Sequence, residues 1–154
     1  MTLQHWRFLT LLLVALTMGM SFAHVLEALP KLRWSGELYL AVQTNLYFLF
    51  GNVGAVINLS AIATAVLLAV LERHHHGFIL TLSGAVALVA ALMVWLVMVA
   101  PVNVQTGIWQ AAGTVPPDWQ RWRNQWELGH AISFGFHLSA FVTLLWAGLN
   151  RVRP

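Results

Sequence analysis

Four long apolar runs organise the chain, at about residues 8–28, 48–71, 78–102 and 128–149. The last three contain no Asp, Glu, Lys or Arg. Crossing a bilayer as a helix takes about 20 apolar residues. Runs of this length do not alternate as strands do, and in lipid a helix satisfies its own backbone. The pattern predicts an all-α fold, an integral membrane four-helix bundle, in one transmembrane domain over residues 1–154. The first run has a rival reading. Arg7, the apolar stretch and Ser21-Phe22-Ala23 have the layout of a secretory signal with a cleavage site before His24. The run is long for such a signal, so it reads as a span.

Between the runs, polar stretches set the connections. Pro30 is expected to end the first helix, with Lys31 and Arg33 marking the membrane interface. Residues 36–47 read as an interfacial helix leading into the second span. The short turn Leu71-Glu72-Arg73-His74-His75-His76-Gly77 makes the second and third spans antiparallel neighbours. The connection between the third and fourth spans is a long Trp-rich extramembrane loop, over 103–127, expected to be partly helical from Pro116-Pro117-Asp118 onward. Its Trp109, Trp119, Trp122 and Trp126 suit an interfacial aromatic belt, and Phe48 and Phe50 suit lipid contact. Small residues at Ala15, Gly19 and Ala23, and at Gly129 and Ser133, form ridges that let helices approach closely.

Composition narrows the class. The chain is 59% hydrophobic and 8% charged, whereas a soluble domain carries about 25% charged residues. The net charge of +3 comes from scattered Lys and Arg, without a cluster to track phosphates, so nucleic acid is not an expected partner. Membrane lipid and a lipophilic small molecule are, and a homo-oligomer stays open. Without cysteine, thiolate chemistry and disulfides are excluded. Lys and Arg are balanced across the membrane: Arg7, Arg73, Arg151 and Arg153 against Lys31, Arg33, Arg121 and Arg123. We read both termini as cytoplasmic, in a bacterial inner membrane.

This topology gathers 24–30, 43–52, 101–105 and 123–137 at the opposite, non-cytoplasmic face. His24 and Glu27 share a helical face, as do Glu127 and His130. His137 follows His130 on the same face about 10 Å deeper. Ionisable side chains inside a span point to function, and histidine both exchanges protons near neutral pH and ligates metals. The plain alternatives are a packing role for His24 with Glu27, a helix-start carboxylate at Glu127, headgroup contacts for Arg121 and Arg123, and a solvated turn at His74-His75-His76. A di-iron site needs more carboxylates than Glu27 and Glu127. A mononuclear metal site from His24, His130 and Glu127 stays open, as does haem between histidines such as His24 and His137.

Pro101-Val102-Asn103, Trp109, Asp118-Trp119, and Arg123-x-x-Trp126-x-x-x-His130 form an ordered pattern. In it, and in Pro30 after the first helix, the chain resembles the DUF1772 family, small four-helix membrane proteins that include the fungal anthrone oxygenases. Many relatives carry an arginine soon after the histidine; here Ile132 and Ser133 stand there. The resemblance implies an oxidoreductase, an oxygenase of activated aromatic carbon that needs no conventional organic cofactor. It implies His130 as base, Asn103 as donor to an enolate oxygen, His24 and Glu27 as assistants, and Arg123 with Trp126 as a substrate-positioning pair. Trp109 and His137 complete the expected substrate pocket. A haem- or metal-binding electron carrier and a non-catalytic scaffold are the competing expectations.

Overall fold

The computed structural model describes residues 2–75 and 77–150, with Phe48 described by its backbone alone. The chain folds as α1 (Leu3–Lys31), α2 (Gly36–Asn45), α3 (Phe48–Leu71), α4 (Phe78–Val94), a π-helical turn (Trp95–Val99), α5 (Ala100–Ala112) and α6 (Trp119–Leu149). Helix α4, the π turn and α5 run on as one rod, so four helices are long and apolar enough to cross a membrane. The architecture is an all-helical bundle of an integral membrane protein.

Proline explains the π turn. Pro101 offers no N–H, and its ring collides with the carbonyl four residues back. The helix absorbs this by widening just before it, and the Ala100 N–H bonds five residues back to the Trp95 carbonyl. Pro30 acts more weakly than expected: α1 continues through it to Lys31. That one extra residue turns Lys31 inward.

The expected extramembrane loop is short. Helices α5 and α6 extend into the stretch from both sides and leave only residues 113–118 outside regular structure. Gly113 closes α5 in the left-handed region at φ 66°, a conformation glycine adopts without a Cβ penalty. The Thr114 N–H then reaches back to the Trp109 carbonyl at 3.2 Å. Helix α6 starts directly after Pro116-Pro117-Asp118, where the sequence placed a helix start.

The bundle centre is built from small and branched residues, with Val14, Ala61, Ala65, Ala85, Leu88, Ala140 and Leu144 buried together. Gly84 lets α4 approach α6 there; a Cβ on it would sit 2.7 Å from Leu144 Cγ. Gly129 does the same at the π turn, where a Cβ would meet Val99 Cγ2 at 2.8 Å and Met98 Cβ at 2.9 Å. The Gly129–Ser133 ridge is therefore a packing face. The Ala15–Gly19–Ala23 ridge is not, because Gly19 is exposed with open space beside it. The buried face of α1 is instead Thr10, Val14, Thr17, Ser21, His24 and Lys31, a mostly polar stripe.

The tryptophans also depart from expectation. Trp109 and Trp119 are buried with Tyr39 of α2, and Trp126 with Tyr47, Val99 and Val102. They form the core of the part where α5 and α6 extend, rather than a lipid-facing belt. At the opposite end, Arg7 Nε donates to Glu72 Oε1 at 2.7 Å and Thr81 Oγ1 donates to Glu72 Oε2 at 2.6 Å. This buried carboxylate ties α1 to the α3–α4 turn. His74 and His75 are exposed on that turn; His76, Arg151 and Arg153 lie outside the described residues.

Candidate functional site

A cavity of about 690 Å³ lies in the half of the bundle nearer α2, within the size range of small-molecule sites. Every segment expected to converge contributes to it: His24 from α1, Gln43 and Thr44 from α2, Phe50 and Asn52 from α3, Asn103 from α5, and Trp126, His130 and His137 from α6. Phe50 was expected to face lipid. It is exposed, and its ring also lies 5.4 Å from that of His24, centroid to centroid, while the Phe48 side chain lies outside the described residues.

On one wall His24 and His130 meet with ring centroids 4.3 Å apart. Trp126 packs against both, 4.8 Å from His24 and 4.1 Å from His130. The spacing of α6 explains the second pair, since residues four apart share a face. Among the described residues His130 makes no hydrogen bond, and its imidazole lines the cavity. The Trp126 indole N–H donates to Asn103 Oδ1 at 2.9 Å. That bond fixes the amide: its oxygen meets the indole, and its NH2 is left for an acceptor in the cavity.

Deeper, His137 is held at both nitrogens. Nδ1 lies 2.8 Å from Ser21 Oγ, and Nε2 lies 3.4 Å from Asn58 Nδ2. With Asn58 presenting its NH2, the ring carries its proton on Nδ1 and donates to Ser21. Ser21 Oγ in turn donates to the Thr17 carbonyl at 3.2 Å. Among the described residues Asn58 Oδ1 is buried without a hydrogen-bond partner, and Asn58 lines the cavity.

Behind the His24–His130 pair lies a charged layer organised by a residue the sequence reading placed at the interface. Lys31 is fully buried. Its Nζ stands 3.1 Å from Glu27 Oε2 and 3.2 Å from Glu127 Oε1. It also lies over the rings of Tyr47 and Trp126, at 4.7 and 4.5 Å from their centroids, a cation–π geometry. Glu27 Oε2 accepts from the Tyr47 hydroxyl as well and stands 3.4 Å from His24 Nδ1. Burial, then the bond to Glu27, push the Tyr47 phenol well above its ordinary range. Lys31, Tyr47, Ser21 and Asn58 are site residues that the sequence pattern does not single out. The signal for Lys31 was present: positions 24, 27 and 31 share one helical face.

Two expected substrate contacts lie elsewhere. Arg123 is buried against the end of α1, with Nη1 donating to the carbonyls of Lys31 at 3.4 Å and Leu32 at 3.5 Å. Its guanidinium carbon lies 5.1 Å from the Trp119 ring centroid. A cation suits a helix C-terminus, so Arg123 caps α1 rather than lining the cavity. Trp109 sits with Tyr39 and Trp119, also away from the cavity.

The proposed metal set does not assemble. Glu127 faces Lys31, and among the described residues no three His, Cys, Asp or Glu side chains are placed to hold one ion. The haem pairing fits no better, because His24 is packed between Trp126, Tyr47 and His130 and both nitrogens of His137 have partners.

Compared with known proteins, the chain matches no family model, no curated protein and no solved structure.

Proposed function

We propose that this protein is a membrane-embedded oxidoreductase of the oxygenase type, acting on a lipophilic aromatic or quinol-type substrate in the cavity beside His130. The observation that carries the reading is an imidazole on the cavity wall with no hydrogen bond, next to a second imidazole and an amide NH2 set by Trp126. A base needs a free lone pair within reach of the proton it removes. An oxyanion needs a donor whose direction is already fixed.

In this reading His130 takes a proton from an activated C–H of the substrate, and the Asn103 NH2 supports the oxygen on which negative charge develops. Dioxygen is the oxidant. The carbanion reacts with it, and for a methylene flanked by aromatic rings the outcome is a ketone, with the second oxygen atom leaving as water; for a quinol, deprotonated at O–H instead, the outcome is a quinone, with dioxygen reduced to hydrogen peroxide. His24 passes the proton on toward Glu27, whose carboxylate is partly exposed. The sequence pattern that resembles the anthrone oxygenases would give His130 and Asn103 the same roles. Arg123 and Trp109 do not share in it, since their contacts are structural.

We further place the cavity at the non-cytoplasmic face of a bacterial inner membrane, with both termini cytoplasmic. The test of function is oxygen uptake by purified protein in lipid vesicles, offered anthrone and reduced naphthoquinones. The reading expects saturable uptake above that of empty vesicles. No uptake with any of these, under conditions where the protein is folded and binds them, sinks it.

A further inference from the structure

Besides a polar aqueous end, where the lining residues Asn52, Asn103 and Gln110 are exposed, the cavity has an open side. Helix α2 covers part of the aqueous end. Tyr39 of α2 is fully buried against Trp109 and Trp119, and Gln43 and Thr44 of the same helix face the cavity. Helices α1 and α6 close the wall that carries the histidines. On the remaining side α3 faces the rod formed by α4, the π turn and α5, and the residues there both line the cavity and stay exposed. Leu59 is 55% exposed and Leu96 47%, and Ala55 lies between them and the polar end. Gly51, one turn above Ala55, has open space where a Cβ would be.

The depth of this opening matters. Leu59 lies eleven residues into α3, roughly 16 Å along a helix at about 1.5 Å per residue, well inside an apolar span. An opening there, with lips of leucine and alanine, meets acyl chains and not water. Its interior is nonetheless polar, with His24, His130, Asn58 and Asn103. A polar interior behind apolar lips suits a molecule that is itself divided.

We propose that the cavity opens sideways into the lipid along the seam between α3 and the π turn. Its ligand is a membrane-resident molecule with a polar aromatic head and an alkyl or prenyl tail. The head sits by His24 and His130, and the tail leaves between Ala55, Leu59 and Leu96. The choice of an aromatic head rests on the functional reading above; the sideways route rests on the shape and lining of the seam.

The test uses the full chain in phosphatidylcholine vesicles and two probes, 1,4-naphthoquinone and the same ring bearing a decyl chain. Binding is read as quenching of tryptophan fluorescence, with probe concentrations corrected for partition into lipid. Ala55→Trp fills one lip, Leu96→Trp fills the other, and Val56→Trp is the control, since Val56 is 65% exposed and outside the cavity lining. The proposal expects the decyl probe to bind roughly tenfold tighter than the bare ring, about 1.4 kcal/mol. It expects Ala55→Trp and Leu96→Trp each to weaken the decyl probe by a similar factor, with helicity unchanged and Val56→Trp as wild type. Wild-type affinity in both folded lip variants overturns it, as does equal binding of the two probes. The two claims separate cleanly. Binding that is sensitive to the lips but without oxygen uptake keeps the sideways route and removes the oxygenase. Oxygen uptake with binding indifferent to the lips does the reverse.

Discussion

His24 and His130 face each other across α1 and α6 with their ring centroids 4.3 Å apart. They are 106 positions apart in sequence, and the contact exists because both helices turn their polar stripes toward one cavity. Residues in direct contact are not energetically independent. His24→Gln and His130→Gln should therefore be non-additive in turnover: the double variant should be little worse than His130→Gln alone. Rates from the four proteins of the cycle decide this, and strict multiplication of the two single effects counts against a shared proton path.

Lys31 should be the most costly charge to remove from this half of the bundle. It is fully buried between Glu27 and Glu127, and breaking a buried ion pair costs about 3–5 kcal/mol because the partner charge is stranded. Lys31→Met should lower thermal stability in detergent strongly. Adding Glu127→Gln should recover part of the loss by removing one stranded carboxylate. A Lys31→Met protein as stable as wild type would contradict the buried cluster.

Two glycines give a matched pair. Gly129→Ala drives a methyl into Val99 and Met98, and overpacking of this kind costs about 1–3 kcal/mol. Gly19→Ala meets nothing and should be neutral or stabilising, by up to about 1 kcal/mol from helix propensity. Thermal unfolding of the two variants side by side checks the packing of α6 on the π turn. The reverse order would place the close approach on α1.

Alkaline pH should destabilise the protein through its buried phenols. Burial raises the pKa of Tyr39 and of Tyr47 above the ordinary value of 10.0, and the Glu27 carboxylate raises Tyr47 further. Below pH 10 both phenols are protonated in the folded and unfolded chains. Above it the unfolded chain ionises first, so the stability these groups provide falls as pH rises. Melting curves from pH 8 to about pH 11 should show that decline. Tyr47→Phe should make it shallower; an unchanged slope would mean that Tyr47 is not held away from water.

Much of this was legible in the sequence. The spans follow from uninterrupted apolarity, and the α6 start follows from Pro116-Pro117-Asp118. The meeting of His24, Asn103, Trp126, His130 and His137 at one cavity follows from four antiparallel helices with polar residues near the same ends. Other features depend on distances between helices, which spacing along one helix does not encode. Arg123 looked like a substrate contact because nothing in its own segment shows that the end of α1 lies beside it. Lys31 looked like an interface marker because a lysine after a proline usually is one; one more helical residue past Pro30 buried it. The tryptophans looked like a lipid belt because the same residues suit a belt and an aromatic core, and only the length of α5 and α6 separates the two.

The most direct measurement is a comparison of wild type and His130→Gln in the same vesicles, following oxygen uptake with a tailed hydroquinone and with anthrone, and helicity by circular dichroism. The account predicts a fall in turnover of about a hundredfold or more, the usual scale of a lost general base, with helicity and probe binding retained. Turnover that survives the substitution in a folded, ligand-binding protein would contradict it.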